Sequence, residues 1–258
     1  MMEIKDVLFF DCETTGIPER SAKWNEDYMD YPHIVQLAWM IEGRPESYII
    51  RPEGWEIPEE TVAIHGITTE KAMEVGEPFA VVIDRFIADC HSAGLLAAHN
   101  IHFDTSIIKA NILRELGEAY YNASAAEEAL FKGKRIDTMQ KSMKWVDART
   151  SNGRLKFPRL EELYSRCFPG ETFPAHDALE DVKAVARCLP ILLEQGLVEL
   201  KVKDFPQEFS ETPILSPNSG IKTEADKLPS QAVQAPKTED FPKITSTVVD
   251  RLLGQDNF

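Results

Sequence analysis

Residues 9–16 read FFDCETTG: an apolar run ends in two carboxylates one residue apart, followed at once by Thr14, Thr15 and Gly16. Successive side chains of a β-strand point to opposite faces, so Asp11 and Glu13 share one side while Cys12 takes the other. Two carboxylates this close raise one another's pKa unless a cation neutralises them, and carboxylate oxygens are natural ligands of hard divalent metals. A lone D-x-E is more often a solvated strand end. A metal site needs further carboxylates converging on the same point.

Outward from this stretch, DVLFF (6–10), HIVQLAWMI (33–41) and ESYIIRP (46–52) are rich in β-branched or aromatic residues and bounded by turn signals. Their short connections predict an antiparallel meander. FAVVIDRFIADC (79–90) repeats apolar positions at three and four and predicts a helix. GLLAAHN (94–100) predicts a short buried strand running straight into a helix at FDTSIIKANILREL (103–116). RIDTM (135–139) is a fifth short strand, and RLEELYSRCF (159–168) and ALEDVKAVARCLPILL (178–193) are two closing helices. Strands first and βα alternation after imply an α/β fold, a mixed sheet of antiparallel meander plus parallel strands, with helices on both faces.

The 258 residues, 43% of them hydrophobic, suffice for one sizeable core, assigned to residues 1–203. Residues 204–258 are rich in Pro, Ser, Glu and Lys without an apolar period, which predicts a flexible tail. Within residues 244–258, Val248, Val249, Leu252 and Leu253 have helical spacing that suits a short partner-binding peptide. The net charge of -15 excludes a general affinity for phosphate backbones or anionic membranes. Nucleic-acid contact must be local or mediated by cations. The four cysteines, Cys12, Cys90, Cys167 and Cys188, form no CxxC pair and read as reduced core thiols. With no signal peptide and no run near the roughly 18 apolar residues of a membrane span, the expectation is a soluble cytoplasmic protein.

Further carboxylates do appear at element boundaries. Asp104 falls in the first turn of its helix, with Ile107 and Ile108 at i+3 and i+4 marking the side toward the sheet. In FPAHDALEDVKAVARCL (173–189), His176 and Asp181 would lie about 140° apart on one helix, too far to share a face. Asp177 followed by Glu180 resembles a capping box. His176 then sits outside the helix on a loop, and Asp181 occupies the first turn beside Ala178 and Val185 on the packing face. An imidazole and a carboxylate can thus approach one point from different directions.

Asp11, Glu13, Asp104 and Asp181 with His176 resemble the DEDDh family of 3′-5′ exonucleases, the group that includes the proofreading epsilon subunit of bacterial replicative DNA polymerase. The motifs are FFDCETTG, HNIHFD and HDALED, the last with H-x4-D spacing, in the family's order across about residues 5–195. The resemblance implies an RNase H-like fold with five strands and two divalent ions, Mg2+ or Mn2+. Asp11 would bridge both ions, Glu13 and Asp181 would hold the one beside the attacking water, and Asp104 would support the other. His176 would be the general base.

By the same resemblance, the backbone of Thr14 and Thr15 would approach the terminal 3′-hydroxyl, with Gly16 permitting a sharp exit. In AIHGIT, His65, Gly66 and Ile67 would form a substrate wall, and Asn100 and Phe103 would line the same pocket. Ile67 and Phe103 suit the core equally well. In the loop at 18–33, Trp24, Tyr28 and Tyr31 either stack on bases or pack the loop onto its own domain.

The implied activity is metal-dependent hydrolysis of single-stranded or frayed DNA 3′ ends to nucleoside 5′-monophosphates, in proofreading or repair. RNA is the alternative substrate, because the motif residues contact groups common to both. A non-catalytic binding module fits less well, since all five catalytic positions hold competent residues. The tail is the expected contact for a polymerase subunit or a sliding clamp, although Gln255 and Phe258 match a Q-x-x-F clamp spacing only poorly.

Overall fold

Strand β1 (Val7–Thr14) organises the molecule because its alternating side chains feed two cores. Leu8, Phe10 and Cys12 enter one cluster with Leu37, Trp39, Phe86, Ile107 and Ile108. Val7 and Phe9 enter the other with Ala38, Met40, Leu163, Val182 and Val185. Each large apolar side chain buried this way contributes about 1.5–3 kcal/mol. The computed structural model describes residues 6–19 and 26–200. Trp24, the 204–258 tail and its 244–258 segment lie outside the described residues.

Strands β2 (Ile34–Ile41), β3 (Arg44–Ile49), β4 (Leu95–Ala98) and β5 (Arg135–Asp137) complete a five-stranded sheet of order β3-β2-β1-β4-β5. The pairs β1–β2 and β2–β3 are antiparallel, and β1–β4 and β4–β5 are parallel. This is the mixed, RNase H-like α/β sheet the sequence implied. The β2–β3 hairpin turns on Glu42 and Gly43, with φ of 53° and 76°, the backbone that a tight two-residue turn demands.

Helices α3 (Phe79–Ser92) and α4 (Ile101–Glu115) cover the first face; α7 (Leu160–Cys167) and α8 (Ala178–Glu194) cover the second. The fully buried indole of Trp39 donates to Asp89 Oδ2 at 2.7 Å, so its polar edge is satisfied. All four cysteines are free, and three are buried. Among the described residues no helix is long and apolar enough to cross a membrane.

Several elements escape the sequence pattern. Helices α1 (Glu59–His65) and α2 (Thr69–Val75) flank Gly66, so AIHGIT ends one helix and leads into another. Seven residues are about two turns, too few for a 3.6-residue period to stand out. Gly66 terminates α1 at φ 72°, and the Thr68 hydroxyl caps α2 by accepting from Lys71 N at 3.1 Å. Helix α5 (Gly117–Ala123) and a π-helical turn at Glu128–Lys132 follow α4.

RIDTM divides: its strand stops at Asp137, which then caps α6 (Thr138–Val146) by accepting from Gln140 N at 3.2 Å. Tyr31 is buried in the first core and Tyr28 packs against it. Tyr31 is thus committed to the core, whereas Tyr28 remains half-buried.

Candidate active site

At the end of β1 the two sides of the strand differ. Toward β2 the pairing continues to Thr14, but toward β4 it ends at Phe9 opposite Ala97. Beyond Phe9 the β4-side edge is available to another partner. Asp104 takes that place: its Oδ1 accepts from Cys12 N and from Cys12 Sγ, each at 3.2 Å. The carboxylate is only 2% exposed, and α4 brings it there from the first face while Asp11 and Glu13 point to the second.

The helix that carries Asp104 begins at Asn100, whose left-handed backbone (φ 72°) turns the chain sharply out of β4. Asn100 N donates to Asp137 Oδ1 at 3.2 Å. Asp137 thus ties the start of α4 to the start of α6.

On the second face, the pairing of β1 with β2 skips Val35 between Glu13↔Gln36 and Thr14↔Ile34, a bulge that bends the strand beside Glu13. Gln36, 5% exposed, holds the start of α8: its Oε1 accepts from Ala178 N at 3.3 Å and its Nε2 donates to Asp177 Oδ2 at 3.5 Å and Ser47 Oγ at 3.1 Å. Asp177 is the helix cap foreseen from the sequence, with Oδ1 accepting from Leu179 N at 3.1 Å and Glu180 N at 3.2 Å. His176 lies just outside the helix with φ 69°, an uncommon backbone for a residue bearing a side chain. Its imidazole is 54% exposed and approaches Glu161 at 3.9 Å.

These elements bring together one ligand atom each from Glu13, His176 and Asp181, all within 4.8 Å of one another. Electrostatics ties Asp11 and Asp104 to the same group. Burial pushes the Asp11 pKa well up, and the charges of Asp104, Asp181 and Glu13 push it further. Burial also raises Asp104 to about 7 against the stabilising Cys12 hydrogen bonds, and burial followed by the Glu13 charge raises Asp181 to about 8. Glu13 is raised by burial, with His176 opposing. The Cys12 thiol, raised by burial and by Asp104, stays a protonated donor.

One oxygen of this group, Asp181 Oδ1, is buried without a hydrogen-bond partner among the described residues. An orphaned carboxylate oxygen beside mutually repelling acids is costly unless a cation joins it. The oxygen and imidazole donors match a hard divalent ion. The residues present therefore fit a divalent metal.

The proposed substrate wall divides by burial. Thr15 is committed to β2, donating N–H to His33 O at 3.0 Å and accepting from His33 N through its hydroxyl at 2.9 Å. Thr14 Oγ1 donates to Gly16 O at 2.5 Å, and nothing lies within 4 Å of where a Gly16 Cβ would stand. His65 Nδ1 accepts from Ile67 N at 3.1 Å, and its ring lies beside the Thr14 backbone. Burial, followed by the nearby His176, lowers its pKa. Ile67 is 3% exposed and packs with Val35, Ile57 and Ala72, and Phe103 packs against the first core. Gln36 and Asp137 were not singled out from sequence, and Cys12 was read only as a core thiol on the face opposite Asp11 and Glu13. Gln36 did carry a signal, as the one polar side chain inside IVQLAWMI.

The family RNase_T, described as Exonuclease, matches residues 8–189 of this chain. The comparison with curated proteins returned no match. Among solved structures, a product-bound exonuclease I is 22% identical with a TM-score of 0.55, covering 73% of this chain and 43% of that one. E. coli exonuclease I in complex with a 5cy-dA13 oligonucleotide is 22% identical with a TM-score of 0.53, covering 73% and 40%. A moderately thermophilic exonuclease I from Methylocaldum szegediense is 22% identical with a TM-score of 0.54, covering 73% and 40%. This likeness is one of fold, and the matched part spans less than half the length of those chains.

Proposed function

Because the chain belongs to the RNase_T family of exonucleases, we propose that it removes nucleotides from the 3′ ends of single-stranded or frayed DNA, releasing nucleoside 5′-monophosphates. The observation that carries this reading is the convergence of Glu13, His176 and Asp181 within 4.8 Å, beside Asp11 and Asp104. E. coli exonuclease I is found in complex with 5cy-dA13 and dA16 oligonucleotides, which favours DNA over RNA. A repair or processing enzyme is favoured over a proofreading subunit, since the structural neighbours described above are exonucleases I.

Asp11, whose carboxyl feels the charges of Asp104, Asp181 and Glu13, would join them in holding two divalent ions, Mg2+ or Mn2+. Glu13 and Asp181 would hold one, and Asp104 would support the other. When bound, such ions activate water and neutralise charge developing on phosphodiester oxygens. His176, exposed on a loop outside α8, takes the proton from the attacking water as general base. Asp177 and Gln36 orient the segment carrying that imidazole.

The test is degradation of 5′-labelled single-stranded DNA, mismatched duplex and RNA by the full chain with Mg2+ or Mn2+. Stepwise shortening of DNA from the 3′ end is expected, with Asp11→Ala folded but inactive. Shortening of RNA alone would reassign the substrate, and full activity in Asp11→Ala would overturn the metal site.

A further inference from the structure

The chain is strongly acidic, yet residues 131–145, FKGKRIDTMQKSMKW, carry five cations, Lys132, Lys134, Arg135, Lys141 and Lys144, against a single acid, Asp137. That acid is turned inward. Asp137 is 9% exposed, and its carboxylate accepts from Asn100 N, Gln140 N and Gln140 Nε2 at 3.0–3.2 Å. Its charge is spent on the starts of two helices, and Lys132 pairs with Glu128 at 3.4 Å, which leaves Arg135 and Lys141 to charge the surface beside Asp137.

The fold sets this segment beside the catalytic end. Strand β5 is the terminal strand of the sheet and pairs with β4, the strand that leads into α4 and Asp104. Between α4 and α6 lies an open cleft of about 460 Å³ lined by Ile101, His102, Arg135, Asp137, Gln140 and Lys141. His102 is two residues from Asp104 on the same helix. Arg135 and Lys141 are exposed, and neither is in an ion pair among the described residues. The Arg135 guanidinium lies 5.6 Å from the Phe131 ring centre and donates to Leu130 O at 3.4 Å, which steadies it. The same two cations also line a neighbouring cleft that reaches Glu199.

We infer that the His102–Arg135–Lys141 cleft holds the phosphodiester backbone of the substrate strand as it leaves the carboxylate end. The inference rests on the exonuclease reading. It deepens that reading by giving this acidic protein a local cationic cleft, charged by Arg135 and Lys141, that opens beside the helix carrying Asp104. Phosphates are the fitting occupant because exposed, unpaired Arg and Lys in a polar cleft offer charge without base-specific contacts. A strand held here is gripped away from its reacting end, so the cleft acts on long substrates and not on the shortest ones.

The experiment uses the full chain and the double variant Arg135→Gln/Lys141→Gln, with a thermal melt to verify folding. Binding of a fluorescent single-stranded oligonucleotide of twenty nucleotides is read by anisotropy in EDTA across a salt series. Each phosphate contact contributes about 0.7 to the log–log salt slope. The variant is therefore expected to bind more weakly, with a slope flatter by about 1.4. With Mg2+ present, its KM for the long oligonucleotide rises while hydrolysis of a dinucleotide is unchanged. An unchanged slope and an unchanged KM overturn the inference. If the wild-type chain hydrolyses neither substrate, the exonuclease reading fails, and the anisotropy series alone still decides the cleft: a flattened slope supports it and an unchanged one removes it.

Discussion

Two sets of acids meet at one end of the sheet, and they answer the cost of burial in opposite ways. Asp137 and Asp177 cap helices, and their oxygens are occupied by backbone N–H groups on Oδ1 and by the side-chain amides of Gln140 and Gln36 on Oδ2. Asp11, Asp104 and Asp181 are crowded and pushed toward their protonated forms, and Asp181 Oδ1 has no hydrogen-bond partner among the described residues. The capping acids complete the fold. The crowded acids leave it electrostatically incomplete, as a site that takes a cation must be.

Replacing a crowded acid tests this contrast most severely. Asp181→Asn keeps the shape and removes the charge, so activity on oligonucleotides should fall on the order of 10³-fold, read by initial rates. Metal-free stability should not fall with it, because repulsion with Glu13 is relieved; a lower melting temperature in EDTA would place Asp181 with the structural acids.

A second test varies pH without metal. The folded pKa values of Asp104 and Asp181, about 7 and about 8, stand above the ordinary value of 3.8. Between the ordinary and the raised values the folded state binds more protons than the unfolded state. The contribution of these acids to stability is therefore fully present below about pH 4 and is lost as pH rises to about 8. Melting temperatures in EDTA should show this decline, and millimolar Mg2+ should counter it at the upper end by binding the folded state. A Mg2+-insensitive melt at pH 8 would break the comparison.

The smallest effect comes from the capping side. Asp177→Ala removes the side-chain acceptor for Leu179 N and Glu180 N and should cost about 1 kcal/mol in denaturant melts. Because His176 and Asp181 straddle this cap, kcat should drop more than KM changes. Loss of stability with an unaltered kcat would confine Asp177 to the fold.

Legibility in the sequence followed the range of the interactions. Helices α3, α4 and α8 are long enough for their apolar spacing to show, and β1 declares itself by alternation. Helices α1 and α2 are too short for that, and RIDTM conceals the start of α6 because strand and cap share Asp137. The acids and the histidine that gather at the end of β1 could be named one by one from motif text. Gln36 could not, because its role depends on reaching Asp177 and Ala178, 141 and 142 residues away.

By itself the sequence determined which side chains share a face and which fall outside a helix. Asp11 and Glu13 lie together because strand geometry alternates, and His176 stands clear of α8 because Asp177 caps it; both are local steric and hydrogen-bonding rules. Only the tertiary structure decided where the other acids meet them. β1 outruns β4, leaving the edge at Cys12 for Asp104 to occupy, and the bulge at Val35 and the grip of Gln36 bring α8 against Glu13. Those outcomes depend on strand lengths and register across the sheet, which no local pattern records.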